Sequence, residues 1–83
     1  MAETKRPTAF VLVNAEIGSE DDVLKELVQI EHVTEAYVVY GVYDIIAKIQ
    51  ADTMDDLKDS ITTRIRGLEN VRSTLTMIVV SES

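Results

Sequence analysis

The chain has 83 residues, of which 46% are hydrophobic and 28% are charged, and its formal net charge is −7 at pH 7. This is the length of one small domain with a marginal core, for which association with further copies is a common source of stability. The acidic balance without a Lys/Arg cluster argues against direct nucleic-acid binding, and the absence of cysteine excludes disulfides and thiolate chemistry.

Neither a membrane span nor a secretion signal is apparent in the sequence. No apolar run approaches the roughly 20 residues that a spanning helix needs, and the segment MAETKRP has no apolar stretch of signal-peptide type. We therefore expect a cytoplasmic protein that does not bind membranes. Residues 1–7 and 82–83 are predicted to be tails around one domain at residues 8–81.

A strand and an amphipathic helix open the predicted domain. Residues Thr8–Ala15 (TAFVLVNA) are rich in β-formers and too few for a helix. Ser19 is predicted to cap a helix, with its hydroxyl accepting from the backbone N–H of Asp22. Apolar residues then recur at helical spacing, which predicts a helix over about residues 20–30.

Two strands flank a glycine in the middle of the chain. Residues 33–40 and 43–51 have strand propensity, and residues 41–42 between them are predicted to form a two-residue type II′ turn. Asp44 is the only acidic residue of residues 36–51, in an otherwise apolar run. A carboxylate placed directly after a turn is the first candidate for a functional residue.

A second helix and a fourth strand complete the pattern. Thr53 is predicted to cap a helix whose apolar stripe runs from Met54 to Leu68, with Gly67 ending it in a left-handed conformation. Residues 71–80 (VRSTLTMIVV) alternate two sets of side chains and are predicted to be a strand.

The order β-α-β-β-α-β contains a weak internal repeat. The segments SEDD and TMDD open the two helices, and IEHV and LENV lead into the following strands. Two such split βαβ units predict an α+β, ferredoxin-like domain with a four-stranded antiparallel sheet and both helices on one face. Because the strands are apolar on both faces, the second face is predicted to pack on that of another copy, giving a dimeric α/β barrel.

The assembled pattern resembles the effector-binding domain of Lrp/AsnC-type regulators, also called the RAM domain. The resemblance rests on AFVLV in the first strand, GVYDII after the turn and VRSTLTMIV in the last strand, and it covers about residues 8–80. Full-length members carry an N-terminal helix-turn-helix domain, whereas seven residues precede the first strand here. The resemblance is therefore to a stand-alone form, which does not itself bind DNA.

This resemblance implies a non-enzymatic regulatory module that binds a small amino-acid effector between dimers, which assemble further, often as a ring of dimers. It also implies co-assembly with full-length Lrp-type regulators, and it implies no cofactor. A zwitterion needs an acceptor for its ammonium, which Asp44 offers, and donors for its carboxylate, which turn amides and the Thr74 hydroxyl offer. The ligand-binding residues implied by the family layout are Gly41, Val42, Tyr43, Asp44, Ser73, Thr74 and Thr76.

Other interpretations stay open. Asp44 can serve only to fix the turn, and Thr74 and Thr76 can reflect β-propensity alone. The lone His32 is predicted to be a surface residue, because a metal site needs three or four convergent ligands. One alternative function is a structural or heteromeric assembly module with no small ligand. Another is an enzyme of the dimeric α/β-barrel oxygenase type, although no catalytic residue is recognisable.

Overall fold

Two helices pack against one face of a four-stranded antiparallel sheet. The computed structural model describes residues 6–81, so the predicted tails at residues 1–7 and 82–83 lie almost wholly outside it. No helix within that range is long and apolar enough to cross a membrane. The elements in chain order are β1 (Thr8–Ala15), α1 (Glu20–Val28), β2 (Val33–Val38), β3 (Ile45–Gln50), α2 (Met54–Asp59), a π-helical segment (Ser60–Ile65) and β4 (Val71–Ile78).

The strand order is β2-β3-β1-β4, and every pairing is antiparallel. This is the ferredoxin-like arrangement that the βαββαβ order predicts, so the predicted fold class is confirmed. The two central strands, β1 and β3, are the most buried. Their alternate residues face the helices: Ala9, Val11, Val13 and Ala15 from β1, and Ile45, Ala47 and Ile49 from β3.

The hydrophobic core lies between this sheet face and the helices. Leu27 of α1, Leu57 of α2 and Ile65 of the π-helical segment are fully buried there. A side chain of this size contributes about 1.5–3 kcal/mol when it is fully removed from water. The helical spacing read from the sequence correctly placed these three residues, whereas Val28 and Met54 are largely exposed.

The two helix starts differ from each other. The Thr53 hydroxyl accepts a hydrogen bond from the Asp56 N–H at 3.1 Å, which confirms the predicted cap. The predicted Ser19 cap is wrong, because its side chain makes no such bond. Ser19 has φ −106° and ψ 6° rather than the extended backbone of Thr53, and only its carbonyl accepts, from the Val23 N–H.

The predicted left-handed helix end at Gly67 is also wrong. Among the described glycines only Gly18 has a positive φ. Gly67 instead allows a close approach, since a Cβ at this position would lie 2.7 Å from the carbonyl oxygen of Thr63. The helix that precedes Gly67 is irregular. The Arg66 N–H donates to the carbonyl of Ile61, five residues earlier, which is a π-type hydrogen bond.

Left-handed backbone occurs at the two equivalent positions of the internal repeat. His32 (φ 82°) and Asn70 (φ 70°) stand in IEHV and LENV, directly before β2 and β4. The His32 carbonyl accepts from the Gln50 N–H, and the Asn70 carbonyl accepts from the Glu16 N–H. Each turn thus joins a helix end to a strand of the other unit. His32 is half-buried, so its predicted surface position is only partly correct.

Candidate functional site

Most of the residues singled out in the sequence lie at one end of the sheet. At this end β1 finishes, and its neighbours β3 and β4 both begin. Val13 pairs with Ile45 on one side of β1, and Asn14 pairs with Ser73 on the other. The segment before β3 and the start of β4 therefore lie on either side of the end of β1, although they are far apart in sequence.

Asp44 is the residue that ties this end together. Its Oδ2 atom accepts from the Ala15 N–H at 3.0 Å, and its own N–H donates to the Val13 carbonyl at 3.0 Å. Its carbonyl accepts from the Val39 N–H at 2.8 Å. The structural role considered for Asp44 is therefore real, although the side-chain bond goes to β1 rather than to the turn. Within the described residues, Oδ1 has no hydrogen-bond partner.

The connection between β2 and β3 is a six-residue loop, residues 39–44, rather than the predicted two-residue turn. The Val39–Asp44 hydrogen bond closes this loop. A type II′ turn needs a positive φ at Gly41, which is not observed. Pairing between β2 and β3 stops at Val38 and Ile45.

The 39–44 loop is apolar and open. Val42 is 87% exposed, Tyr40 is fully exposed and Tyr43 is half-buried. A Cβ added to Gly41 would have no atom within 4 Å. Neither packing nor backbone conformation within the described chain accounts for these residues, and apolar exposure of this kind is typical of a contact surface.

The predicted β4 residues do not all point the same way. Ser73 shares a face with Asn14, whose side-chain amide donates to its hydroxyl at 3.3 Å. Thr74 pairs with Val13 and Thr76 with Val11, so both lie on the helix-covered side of the sheet. Thr76 is further from the 39–44 loop than the other two. The structure brings Asp44, Ser73 and Thr74 to one end of the sheet and leaves Thr76 along the strand.

A β-bulge lies at the same end of the sheet. Asn14 pairs with Ser73 but Ala15 pairs with Val71, so Arg72 is the extra residue of β4. Beside it is a surface cavity of about 360 Å³ lined by Arg66, Val71, Arg72, Ser73 and Thr74. The sequence pattern did not single out Arg66, because a helical arginine outside a motif carries no signal of its own.

The sheet face away from the helices is apolar at its centre and is called the open face here. Within residues 6–81 no element covers it, and Leu75 and Met77 are 45% and 46% exposed. Its apolar residues are Phe10 and Leu12 of β1, Tyr37 of β2, Ile46 of β3, and Leu75 and Met77 of β4.

Several interacting polar side chains lie at the border of the open face, along β2 and β3. The Tyr37 hydroxyl donates to Glu35 Oε1 at 2.9 Å, and Lys48 Nζ lies 3.9 Å from Glu35 Oε2. The hydrogen bond to the Glu35 carboxylate and its negative charge raise the pKa of Tyr37. Lys48 therefore has a partner within its own chain.

The sequence profile of the Lrp/AsnC ligand binding domain matches residues 8–83. The chain belongs to this family. The HTH-type transcriptional regulator FL11 of Pyrococcus furiosus is 31% identical over 72 residues, which are 87% of this chain and 47% of that protein. The chain thus spans about half the length of the curated relatives it matches, and these Lrp/AsnC relatives are named as transcriptional regulators.

Solved structures of the same size are also similar to this Lrp/AsnC domain. The crystal structure of FFRP-DM1 is 43% identical with a TM-score of 0.85, covering 89% of this chain and 99% of that one. A hypothetical protein, PHS023 from Pyrococcus horikoshii, is 43% identical with a TM-score of 0.84, covering 92% of both chains. The family assignment made from the three sequence segments is therefore confirmed.

Proposed function

We propose that this Lrp/AsnC domain is a non-enzymatic regulatory module of the cytoplasm that binds a small amino acid where subunits meet at the 39–44 loop. The observation that carries the proposal is an exposed apolar loop next to a fixed carboxylate, one oxygen of which has no hydrogen-bond partner within residues 6–81. The loop supplies contact surface, and the carboxylate supplies the charge that an ammonium group needs.

The Asp44 carboxylate is suited to this task because it is held in place before any ligand arrives. Its bond from the Ala15 N–H fixes the orientation of Oδ2 and leaves Oδ1 for an incoming donor. A charged hydrogen bond of this kind contributes about 1.5–3 kcal/mol. Fixing the group in advance lowers the entropy cost of binding.

The remaining groups fit the other parts of an amino acid. Backbone N–H groups around Gly41 and the hydroxyls of Ser73 and Thr74 are donors for its carboxylate. Val42 and Tyr43 offer apolar surface for its side chain. Thr76 keeps its place among the implied ligand residues, but its position along β4 favours a supporting role.

Dimerisation through the open face is the first step of the proposed assembly. The apolar centre of this face carries polar residues at its border, Glu35 and Lys48 among them, which is the usual anatomy of a protein interface. The 39–44 loop lies at the end of the sheet and stays available for contacts between dimers. A ring of such dimers is the assembly proposed.

Effector binding between dimers would then control assembly. A ligand that contacts two subunits stabilises the assembly that holds it and shifts the population toward that state. Co-assembly with full-length Lrp-type regulators is the proposed route from this shift to transcription. A regulator of the same fold from Neisseria meningitidis, 14% identical with a TM-score of 0.79, is described as a complex with L-Met.

Calorimetric titration of the intact protein with each of the twenty amino acids tests the proposal. We expect at least one to bind and Asp44→Asn to abolish that binding. An asparagine oxygen can still accept from Ala15, so this variant removes the charge while keeping the turn. Asp55→Asn, an exposed acid on α2, is the matched control and should bind normally. A folded, assembled protein that binds none of the twenty would refute the proposal.

A second candidate function is an assembly module without a small ligand. The exposure of Tyr40 and Val42 supports it equally, since a protein partner alone can cover an apolar loop. Mass spectrometry of small molecules released from the purified protein by mild denaturation separates the two. A stoichiometric amino acid favours the effector proposal, and an empty assembly together with silent titrations favours this one. The oxygenase-type alternative gains no support from relatives named as transcriptional regulators.

A further inference from the structure

We infer that Arg66 and Arg72 form a binding site for a small oxyanion, a carboxylate or phosphate group, at the start of β4. Neither arginine is among the ligand-binding residues implied by the family layout. The site lies on the β4 side of β1 and shares Ser73 and Thr74 with the proposed effector site, but its charges are those of the two arginines rather than that of Asp44 on the β3 side.

The composition of the cavity is the first argument. Its lining includes two arginines and the hydroxyl-bearing residues Ser73 and Thr74, and no acidic residue. The chain has 15 acidic and only eight basic residues, whereas both charged residues of the lining are basic. The charge of the lining is therefore opposite in sign to the net charge of the chain. Within the described residues neither arginine makes a salt bridge, unlike Arg6, which lies 3.4 Å from Asp52.

The backbone is the second argument, because both arginines stand at irregularities. Arg72 is the extra residue of the bulge that shifts the β1–β4 register between Asn14 and Ala15. Arg66 follows the π-helical segment and donates its N–H to Ile61 in the bond that closes it. Bulges re-aim side chains, and π-turns are frequent at functional sites. The bulge and the π-helical segment thus each precede or contain one of the two arginines that line the cavity.

The chemistry of the pair favours an oxyanion. A guanidinium presents a planar fork of N–H donors that matches the oxygens of a carboxylate or phosphate. Two like charges on one cavity repel, and a bound anion converts that repulsion into attraction to both. The hydroxyl of Thr74, on the helix-covered side of the sheet, can donate to a remaining oxygen.

Calorimetric titration with succinate and with inorganic phosphate, at ionic strength held constant with sodium chloride, tests the inference. We expect at least one anion to bind, and the comparison of the two identifies the preferred group. Arg66→Gln and Arg72→Gln should each weaken binding by about tenfold. Arg64→Gln is the matched control, since Arg64 is exposed on the same π-helical segment but does not line the cavity. Failure of both anions to bind, or an equal loss in Arg64→Gln, would overturn the inference.

Arginine-selective labelling with phenylglyoxal gives a test on the unaltered protein. Bound succinate or phosphate should protect Arg66 and Arg72 and leave Arg64 reactive, as read by peptide mass spectrometry. Equal protection of all three arginines contradicts a defined site. Asp44→Asn should leave anion binding unchanged. If anions bind but no amino acid does, the effector proposal fails and the anion site stands. If Asp44-dependent amino-acid binding occurs and neither anion binds, the reverse holds.

Discussion

The carboxylate of Asp44 accepts a hydrogen bond from the backbone N–H of Ala15, 29 residues earlier in the chain, at 3.0 Å. This bond satisfies a donor at the end of β1, where the β1–β4 register shifts. It also holds the first residue before β3 in place and thereby shapes the 39–44 loop. The side chain that holds this end of the sheet is thus also the group proposed to bind the ligand.

Substitution of Asp44 should separate these two roles. Asp44→Ala leaves the partly buried Ala15 N–H without its acceptor and should lower the free energy of unfolding by about 1–3 kcal/mol. Asp44→Asn keeps an acceptor oxygen and should cost less than about 1 kcal/mol. Urea denaturation followed by circular dichroism measures both. Equal losses in the two variants would mean that charge, not the hydrogen bond, stabilises this end of the sheet.

Alanine should destabilise the protein at Gly67 but not at Gly41. Gly67→Ala places a Cβ 2.7 Å from the Thr63 carbonyl oxygen, so the π-helical segment must shift. We expect a loss of about 1–3 kcal/mol, the usual cost of overpacking. Gly41→Ala meets no atom within 4 Å in the chain and serves as the control, with unchanged monomer stability. A neutral Gly67→Ala would contradict the close approach described.

Charge on the open face should prevent dimerisation. Leu75→Glu buries a carboxylate against an apolar surface if dimers form through this face, and an unpaired buried charge is strongly unfavourable. We expect sedimentation velocity at micromolar concentration to show an oligomer for the wild type and a monomer for the variant. Val28→Glu, on the largely exposed side of α1, is the control and should leave the oligomer intact. A monomeric wild type would count against the interface.

Tyr37 should ionise at higher pH than an ordinary tyrosine. Its pKa is raised from 10.0 because its hydroxyl donates to the Glu35 carboxylate and because that charge opposes a phenolate. Since the folded-state pKa is the higher one, the stabilising contribution is full below pH 10 and is lost as the pH rises through the raised pKa.

Absorbance titration at alkaline pH measures this ionisation. Subtracting the curve of Tyr37→Phe isolates the Tyr37 step from those of the other tyrosines. Glu35→Gln should return that step toward 10.0, because the amide carries no charge. An unchanged step in Glu35→Gln would show that Glu35 does not hold the hydroxyl in solution.

Much of the fold was predictable because it depends on periodicity. The alternation in β1 and the helical spacing of Leu27, Leu57 and Ile65 record which sides are buried, and the βαββαβ order then leaves few topologies. Predictions of the exact geometry of caps and turns fared worse. The Ser19 cap failed because its backbone is not extended, and the turn at Gly41 failed because β2–β3 pairing ends at Val38 and Ile45 and Gly41 has no positive φ.

The sequence by itself determined the order of elements, the two-faced apolar sheet and the three segments that identify the family, because each is written in residue types at local spacing. Only the tertiary structure decided the length of the 39–44 loop, the left-handed turns at His32 and Asn70, and the bulge at Arg72. Each of these depends on hydrogen bonds between strands far apart in the chain. Local propensity carries no record of such partners, so the geometry of the candidate sites emerged only with the folded sheet.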